Sequence, residues 1–245
     1  MDGVGDRFQK DTKYQRGSLP GGSLDFSTRP KQYKEYAGAQ RIALDPPKPR
    51  LIAPLDLCIR TRRSVRRFAS KTVSFQDLSY LAWATGGIQR IEGNHPFRTA
   101  PSAGALYPIE TYLVVKNAEK VPPGLYHYFP LEHSLELMKD GDFSSHATRA
   151  ALDQNMCMSA AVTFFFTAVW ERSKWKYKQR AYRYIYLDAG HMGQNLALAA
   201  AGLGLGTCAI GAIYDEEADA LLQLDSEEEG TIMMVVAGYP VKDGR

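Results

Sequence analysis

Residues 161–170 read Ala-Val-Thr-Phe-Phe-Phe-Thr-Ala-Val-Trp, a nearly unbroken apolar run of strand length. It falls well short of the roughly 18 apolar residues that a membrane span requires. Apolar side chains at both parities describe a strand covered on both faces, so the fold must supply a layer above and a layer below a sheet. Shorter strand-like runs occur at 111–115, 125–129, 135–138 and 231–237, and residues 126–138, turning about Pro130, read as a hairpin.

Helical patterning accounts for most of the remainder. Leu55, Cys58 and Ile59 share one face of a short helix that ends near Thr61. Ser74, with Asp77 three residues on, starts a second helix whose apolar face is Phe75, Leu78, Leu81 and Ala82 and which Gly86-Gly87 stops. Residues 144–156, 179–201 and 215–224 read as further helices, and the dense Ala and Gly content of 190–202 suits close helix approach and a dimer core. Helices surrounding a mostly antiparallel sheet make an α+β layered fold. Residues 1–50 show neither period and are expected to form an irregular arm before a single domain over 51–245.

Composition bounds the function. With 44% hydrophobic and 23% charged residues, a chain of 245 buries one substantial core. Cys58, Cys157 and Cys208 are odd in number, far apart and without a C-x-x-C, which favours buried thiols over a disulfide framework or zinc site. The five histidines show no metal-binding spacing, so no metal is expected, and His191 reads as an interior or interface residue. The polar start, MDGVGDRFQK, lacks the apolar segment of a signal peptide, and a cytoplasmic protein without a membrane partner is expected.

Four segments can carry chemistry. In residues 60–68, Arg-Thr-Arg-Arg-Ser-Val-Arg-Arg-Phe, an extended backbone sends Arg62, Ser64 and Arg66 to one side and Arg63, Val65 and Arg67 to the other. Two guanidinium forks and a hydroxyl suit a phosphomonoester, while the competing reading is a solvated basic or nucleic-acid-binding surface; a net charge of +3 does not by itself favour the latter. Residues 98–108, Arg-Thr-Ala-Pro-Ser-Ala-Gly-Ala-Leu-Tyr-Pro, form a loop of small residues that either lets a flat ligand approach the backbone or is an ordinary tight connection. The glycine run 202–206 follows a helix rather than a strand, which excludes a Rossmann loop and leaves a turn at 209–212 whose amides can face a ligand. Lys176-Tyr177 falls in a polar stretch, 171–180, read as a connecting loop; the pair is either a proton relay or plain surface. With no nucleophile elbow or triad pattern, any catalysis is expected to reside in a cofactor.

Taken in order, the segments 62–68, 101–108, Gly124-Leu125-Tyr126-His127-Tyr128, and 188–195 through Gly206-Thr207 resemble the SagB-type branch of the nitroreductase superfamily from about residue 51 to Pro240. The stretch Phe8-Gln9-Lys10-Asp11-Thr12-Lys13 resembles the one that precedes that domain. The resemblance implies a nitroreductase-like fold and a homodimer with FMN in each of two clefts at the subunit interface. It implies that Arg62, Ser64 and Arg66 hold the phosphate and ribityl chain with Arg63 nearby, that Pro101, Ser102, Ala103 and Gly104 approach from the partner subunit, and that Ala209, Ile210 and Gly211 lie by flavin N5. Ala105 stands where other nitroreductases often carry Asn, which removes one polar contact, and Lys242 and Arg245 match only loosely a basic pair near the phosphate.

The leading expectation is ping-pong hydride transfer through FMN, with NAD(P)H-dependent reduction of nitro or quinone acceptors. The alternatives are an azoline dehydrogenase acting on modified peptides, for which Lys176 and Tyr177 resemble a catalytic proton-removing pair, and a non-catalytic flavin-binding module that serves a partner complex. Small-molecule or peptide substrates are expected, and nucleic acid is not.

Overall fold

The computed structural model describes residues 3–17, 19, 23–47 and 53–241. In chain order the elements are α1 (Val4–Asp11), β1 (Arg41–Ala43), α2 (Leu55–Thr61), α3 (Phe75–Gly86), β2 (Ile88–Glu92), β3 (His95–Arg98), β4 (Ile109–Val115), β5 (Gly124–Phe129) and β6 (Ser134–Asp140). There follow α4 (Ser144–Ala150), α5 (Met156–Ser159), β7 (Val162–Val169), α6 (Trp170–Tyr177), α7 (Ala181–Gly202), β8 (Gly206–Ile210), α8 (Asp215–Leu222) and β9 (Glu229–Gly238). One sheet runs β1-β6-β5-β4-β7-β9-β8, with every neighbouring pair antiparallel.

The alternation of β7 builds both layers. Phe164 and Phe166 point into the core with α3 and α7, whereas Phe165 joins Tyr112, Val114, Met234 and Val236 under α4, α5 and α8. Each buried phenyl ring contributes roughly 1.5–3 kcal/mol of transfer free energy, which makes this strand the axis of the fold. On the first side α7 packs so closely that a Cβ at Gly193 would meet Met233 at 3.1 Å, and one at Gly86 would meet Met192 at 3.0 Å. The cap on α3 is as expected: the Asp77 N–H donates to Ser74 Oγ at 3.1 Å.

The structure corrects several expectations. Within the N-terminal segment, Val4–Asp11 is helical and Arg41–Ala43 extends the sheet beside β6, so the segment is not wholly irregular. The helix expected over 144–156 ends at Ala150, where Leu152 and Asp153 turn left-handed at φ 53° and 58°, and a second short helix starts only at Met156. The polar stretch expected as a loop is helix α6 followed by a 3-10 turn, Lys178–Arg180. Ala209 and Ile210 end strand β8 rather than opening a turn. Only Cys58 of the α2 face is buried; Leu55 and Ile59 are exposed in the single chain, as is His191. Cys157 is also buried, which pushes its thiol up to about 12 and removes it as a nucleophile.

Candidate functional site

The loop 98–108 is held from several sides. Thr99 N–H donates to Gly87 O at 3.0 Å, Arg98 N–H to the Tyr107 hydroxyl at 3.1 Å, and Asn195 Nδ2 on α7 to Thr99 O at 3.3 Å. Ser102 Oγ accepts from Tyr107 N–H at 2.9 Å. From α7, buried Asp188 hydrogen-bonds to the Ser102 side chain and the Ala103 backbone; burial nevertheless dominates and raises its carboxyl to about 6. Gly104, Ala105 and Tyr107 all have left-handed φ, at 64°, 51° and 47°. Two of these are not glycine, so the loop stores backbone strain that its anchors hold in place.

Lys176 and Tyr177, at the end of α6, pack on this loop. A Cβ built on Gly104 would lie 2.7 Å from Tyr177 Oη and 3.0 Å from Lys176 Nζ, so a side chain there would occupy the place of both polar groups. The Tyr177 ring meets Tyr184 edge-on at 4.7 Å. Lys176 itself is exposed and Tyr177 half-buried. Two expected sets of site residues, 72 positions apart in sequence, thus meet within one chain.

The basic segment lies elsewhere. Residues 62–68 run extended along the outer edge of β8: Ser64 bridges to Thr207, and Val65 N–H donates to Thr207 O at 2.8 Å. Val65 turns inward, where a Cβ on Gly206 would meet it at 2.6 Å, and Phe68 is buried. Arg62 and Arg63 line a groove with Gly206, Thr207, Ala197 and Ala201. Ser64 and Arg66 stay outside that lining and are exposed. Along a strand, N–H and C=O of one residue face the same edge, so Ala209 turns its N–H to the edge at which Thr207 O is used. Ile210 buries its side chain, leaving only its main chain for a ligand, while a Cβ on Gly211 would meet nothing within 4 Å. These are the features a phosphate-bearing, flat ligand such as FMN needs: exposed forks, an outward amide and open space. Lys242 and Arg245 lie outside the described residues.

Helix α7 separates the two groups. At about 100° per residue, Ala197 and Ala201 lie about 180° and 140° around the helix from Asp188, and about 14–20 Å along it. The groove therefore opens on the exposed stripe of α7 that includes Tyr186, Leu187 and Gly190, opposite the side that grips Ser102.

A model of the nitroreductase family matches residues 59–239, which span β4 through β9, the basic segment, the loop and α6. The chain belongs to the nitroreductase family. It is 37% identical over 181 residues to the nitroreductase homologue MJ1384 of Methanocaldococcus jannaschii, covering 74% of this chain and 88% of that protein. Bearing out the SagB-type resemblance, it is 28% identical to the Microcin B17-processing protein McbC of Escherichia coli, over 64% of this chain and 55% of McbC. A crystal structure of a nitroreductase homologue from Anabaena variabilis superposes with TM-score 0.81 at 30% identity, over 97% of this chain and 46% of that one. A homologue from Desulfovibrio desulfuricans, solved with FMN, shares the fold at TM-score 0.54 and 20% identity, over 79% of this chain and 90% of that one. The chain thus spans about half the length of McbC and of the Anabaena chain. No described helix is long and apolar enough to cross a membrane.

Beside the loop and α6 the chain carries a buried polar network that sequence reasoning missed. Glu110 on β4 pairs with Arg172 of α6 at 2.6 Å and with His127 Nε2 of β5 at 3.2 Å. His127 Nδ1 meets Glu136 of β6 at 2.8 Å, and Glu136 meets Arg41 of β1 at 2.7 Å. Burial disfavours the Glu110 charge, but Arg172 and His127 outweigh it and hold the carboxyl well below the usual range. For His127, burial is likewise overcome by its two carboxylates, which raise it. Cross-strand register brings Tyr112, His127 and Glu136 into one row.

Proposed function

We propose that this chain is an FMN-dependent oxidoreductase, active as a homodimer, in which Lys176 and Tyr177 receive a proton while a substrate C–H bond is oxidised. The observation that carries this reading is the packing of both side chains against Gly104, in the loop whose residues Pro101, Ser102, Ala103 and Gly104 would border the flavin. When bound, FMN supplies a two-electron acceptor for hydride. Arg62, Ser64, Arg66 and Arg63 of one chain would hold its phosphate end, and Ala209, Ile210 and Gly211 would offer main-chain contacts at the ring. Oxidation of an azoline to an azole releases a hydride and a proton from the substrate; Lys176 Nζ and Tyr177 Oη are the groups of this chain available for the proton. Its similarity to McbC favours a modified peptide as substrate.

The opposed faces of α7 support a second copy. A ligand that reaches both the Arg62 groove and the Gly104 loop has to draw them from two chains, and the exposed Leu55, Leu57, Ile59, Tyr186 and Leu187 supply an apolar surface for that partner.

Similarity to MJ1384 supports NAD(P)H-dependent reduction of nitro or quinone compounds as a second reading. Such reduction needs no base on carbon. Anaerobic single-turnover bleaching of the flavin with NADH, NADPH and an azoline peptide separates the two. Bleaching by the azoline peptide that Lys176→Ala abolishes supports the dehydrogenase; bleaching by nicotinamide alone, unaffected by that change, supports the reductase. Bleaching by none of them leaves a non-catalytic flavin-binding module.

A further inference from the structure

Helix α6 has a polar sequence, yet it holds two of its side chains against a strained loop. Its anchor is Arg172, one turn before Lys176, so the two share a helix face. The Arg172 guanidinium is almost fully buried and makes three kinds of contact. Nη1 pairs with Glu110 at 2.6 Å and donates to Tyr107 O at 3.3 Å, and Nε donates to Lys31 O at 2.8 Å. Tyr107 closes the loop that contains Gly104, and Lys31 belongs to the N-terminal segment.

Beside Arg172, one turn along α6, the same segment makes a second hold: Trp175 Nε1 donates to Asp25 O at 3.1 Å and its ring meets Phe26 edge-on at 5.5 Å. The helix is thereby wedged between the loop and the N-terminal segment, with one buried cation bonded to both.

We infer that Arg172 is a positioning residue that fixes Lys176 and Tyr177 over Gly104, and that the N-terminal segment is thereby part of the active-site support. The inference rests on the proposed role of that pair. A planar fork meets a carboxylate and two carbonyls at once; a lysine ammonium on a single stem cannot reproduce that arrangement. Because a displacement of about 1 Å can lower a rate by about a hundredfold, loss of the fork is expected to reduce kcat far more than flavin binding.

The test uses the full-length flavin-loaded protein and its Arg172→Met, Arg172→Lys and Glu110→Gln variants. Competitive amine labelling, read by mass spectrometry across a pH series, reports the reactivity of Lys176 with Lys178 as internal standard. Arg172→Met is expected to move the Lys176 profile toward that of Lys178 and to lower azoline-peptide kcat by about a hundredfold with flavin retained. Arg172→Lys, which keeps the charge opposite Glu110, is expected to recover part of both. If Arg172→Met does not fold, Arg172→Lys and Glu110→Gln decide by the same labelling shift. An unchanged Lys176 profile in every folded variant overturns the positioning role. Should the profile shift while Lys176→Ala still turns over, positioning stands and the catalytic reading falls.

Discussion

The Gly104 side and the Arg62 side of this molecule are built in opposite ways. The loop around Gly104 is gripped by Asp188, Asn195 and the end of α3, backed by a buried ion network and already in contact with Lys176 and Tyr177. The Arg62 side is an extended segment along a sheet edge, with exposed Ser64 and Arg66 and open space beside Gly211. One side is preorganised by interior contacts and the other is open. A site that must hold reacting groups closely and also admit a charged cofactor benefits from that division.

The contrast is broken most sharply at the Lys176 pair. Lys176→Ala and Tyr177→Phe are expected to lower azoline-peptide turnover by about 10²–10⁴-fold while acid-released FMN stays at the parent level. Loss of FMN in either variant would mean that the pair is structural. On the open side, Arg62→Ala and Arg66→Ala should each weaken FMN binding by about 1.5–3 kcal/mol, the worth of a charge-assisted hydrogen bond, as read by fluorescence titration. Arg67→Ala, on the Val65 side of the extended segment, should do less; equal losses from all three would reduce the cluster to a general positive field.

Asp188 gives the gripped side a pH signature. Its folded value of about 6 lies above its ordinary 3.8, so between about pH 4 and 6 the folded chain keeps a proton that the unfolded chain has released. Stability therefore falls as pH rises through that window, with a penalty of about 3 kcal/mol in full force above pH 6. Asp188→Asn should flatten that slope in urea denaturation between pH 4 and 7; an unchanged slope would remove Asp188 as its source. The smallest effects come from paired glycine substitutions. Gly104→Ala, at φ 64° and against Tyr177, should lower stability by about 1–2 kcal/mol, and Gly211→Ala should stay within about 0.5 kcal/mol. Equal melting temperatures for the two would contradict the division into a packed and an open side.

Much of this architecture is legible in the sequence where local chemistry decides it. The apolar run at β7, the Ser74 cap and the hairpin about Pro130 each follow from residues within one element. Strand β1 does not, because three residues without period become a strand only when Arg41 bonds to Glu136 across the sheet. Helix α6 is equally obscure: its stability comes from a buried pair with Glu110 and from Trp175 on the N-terminal segment, and no apolar stripe announces it. A usable signal was present for the network, since Glu110, His127 and Glu136 each stand between apolar or aromatic neighbours or beside them in a strand, and a buried charge requires partners. The Gly-Asn pair at 93–94 likewise marks the β2–β3 ribbon, with Gly93 at φ 60°. The meeting of Lys176 with Gly104 is a tertiary event that no periodicity encodes.

The central claim is that each complete site takes its phosphate-binding side from one chain and its Gly104–Lys176 side from another. Subunit complementation tests it directly. A chain carrying Arg62→Ala and Arg66→Ala is co-expressed with a chain carrying Lys176→Ala under a second affinity tag, and the heterodimer is purified through both tags. Neither variant homodimer should oxidise an azoline peptide, the first for want of FMN and the second for want of its proton acceptor. In the heterodimer one of two sites regains an intact phosphate side and an intact Lys176, so about half of the parent turnover per dimer is expected. A heterodimer as inactive as its two parents would place the whole site within a single chain and contradict the account.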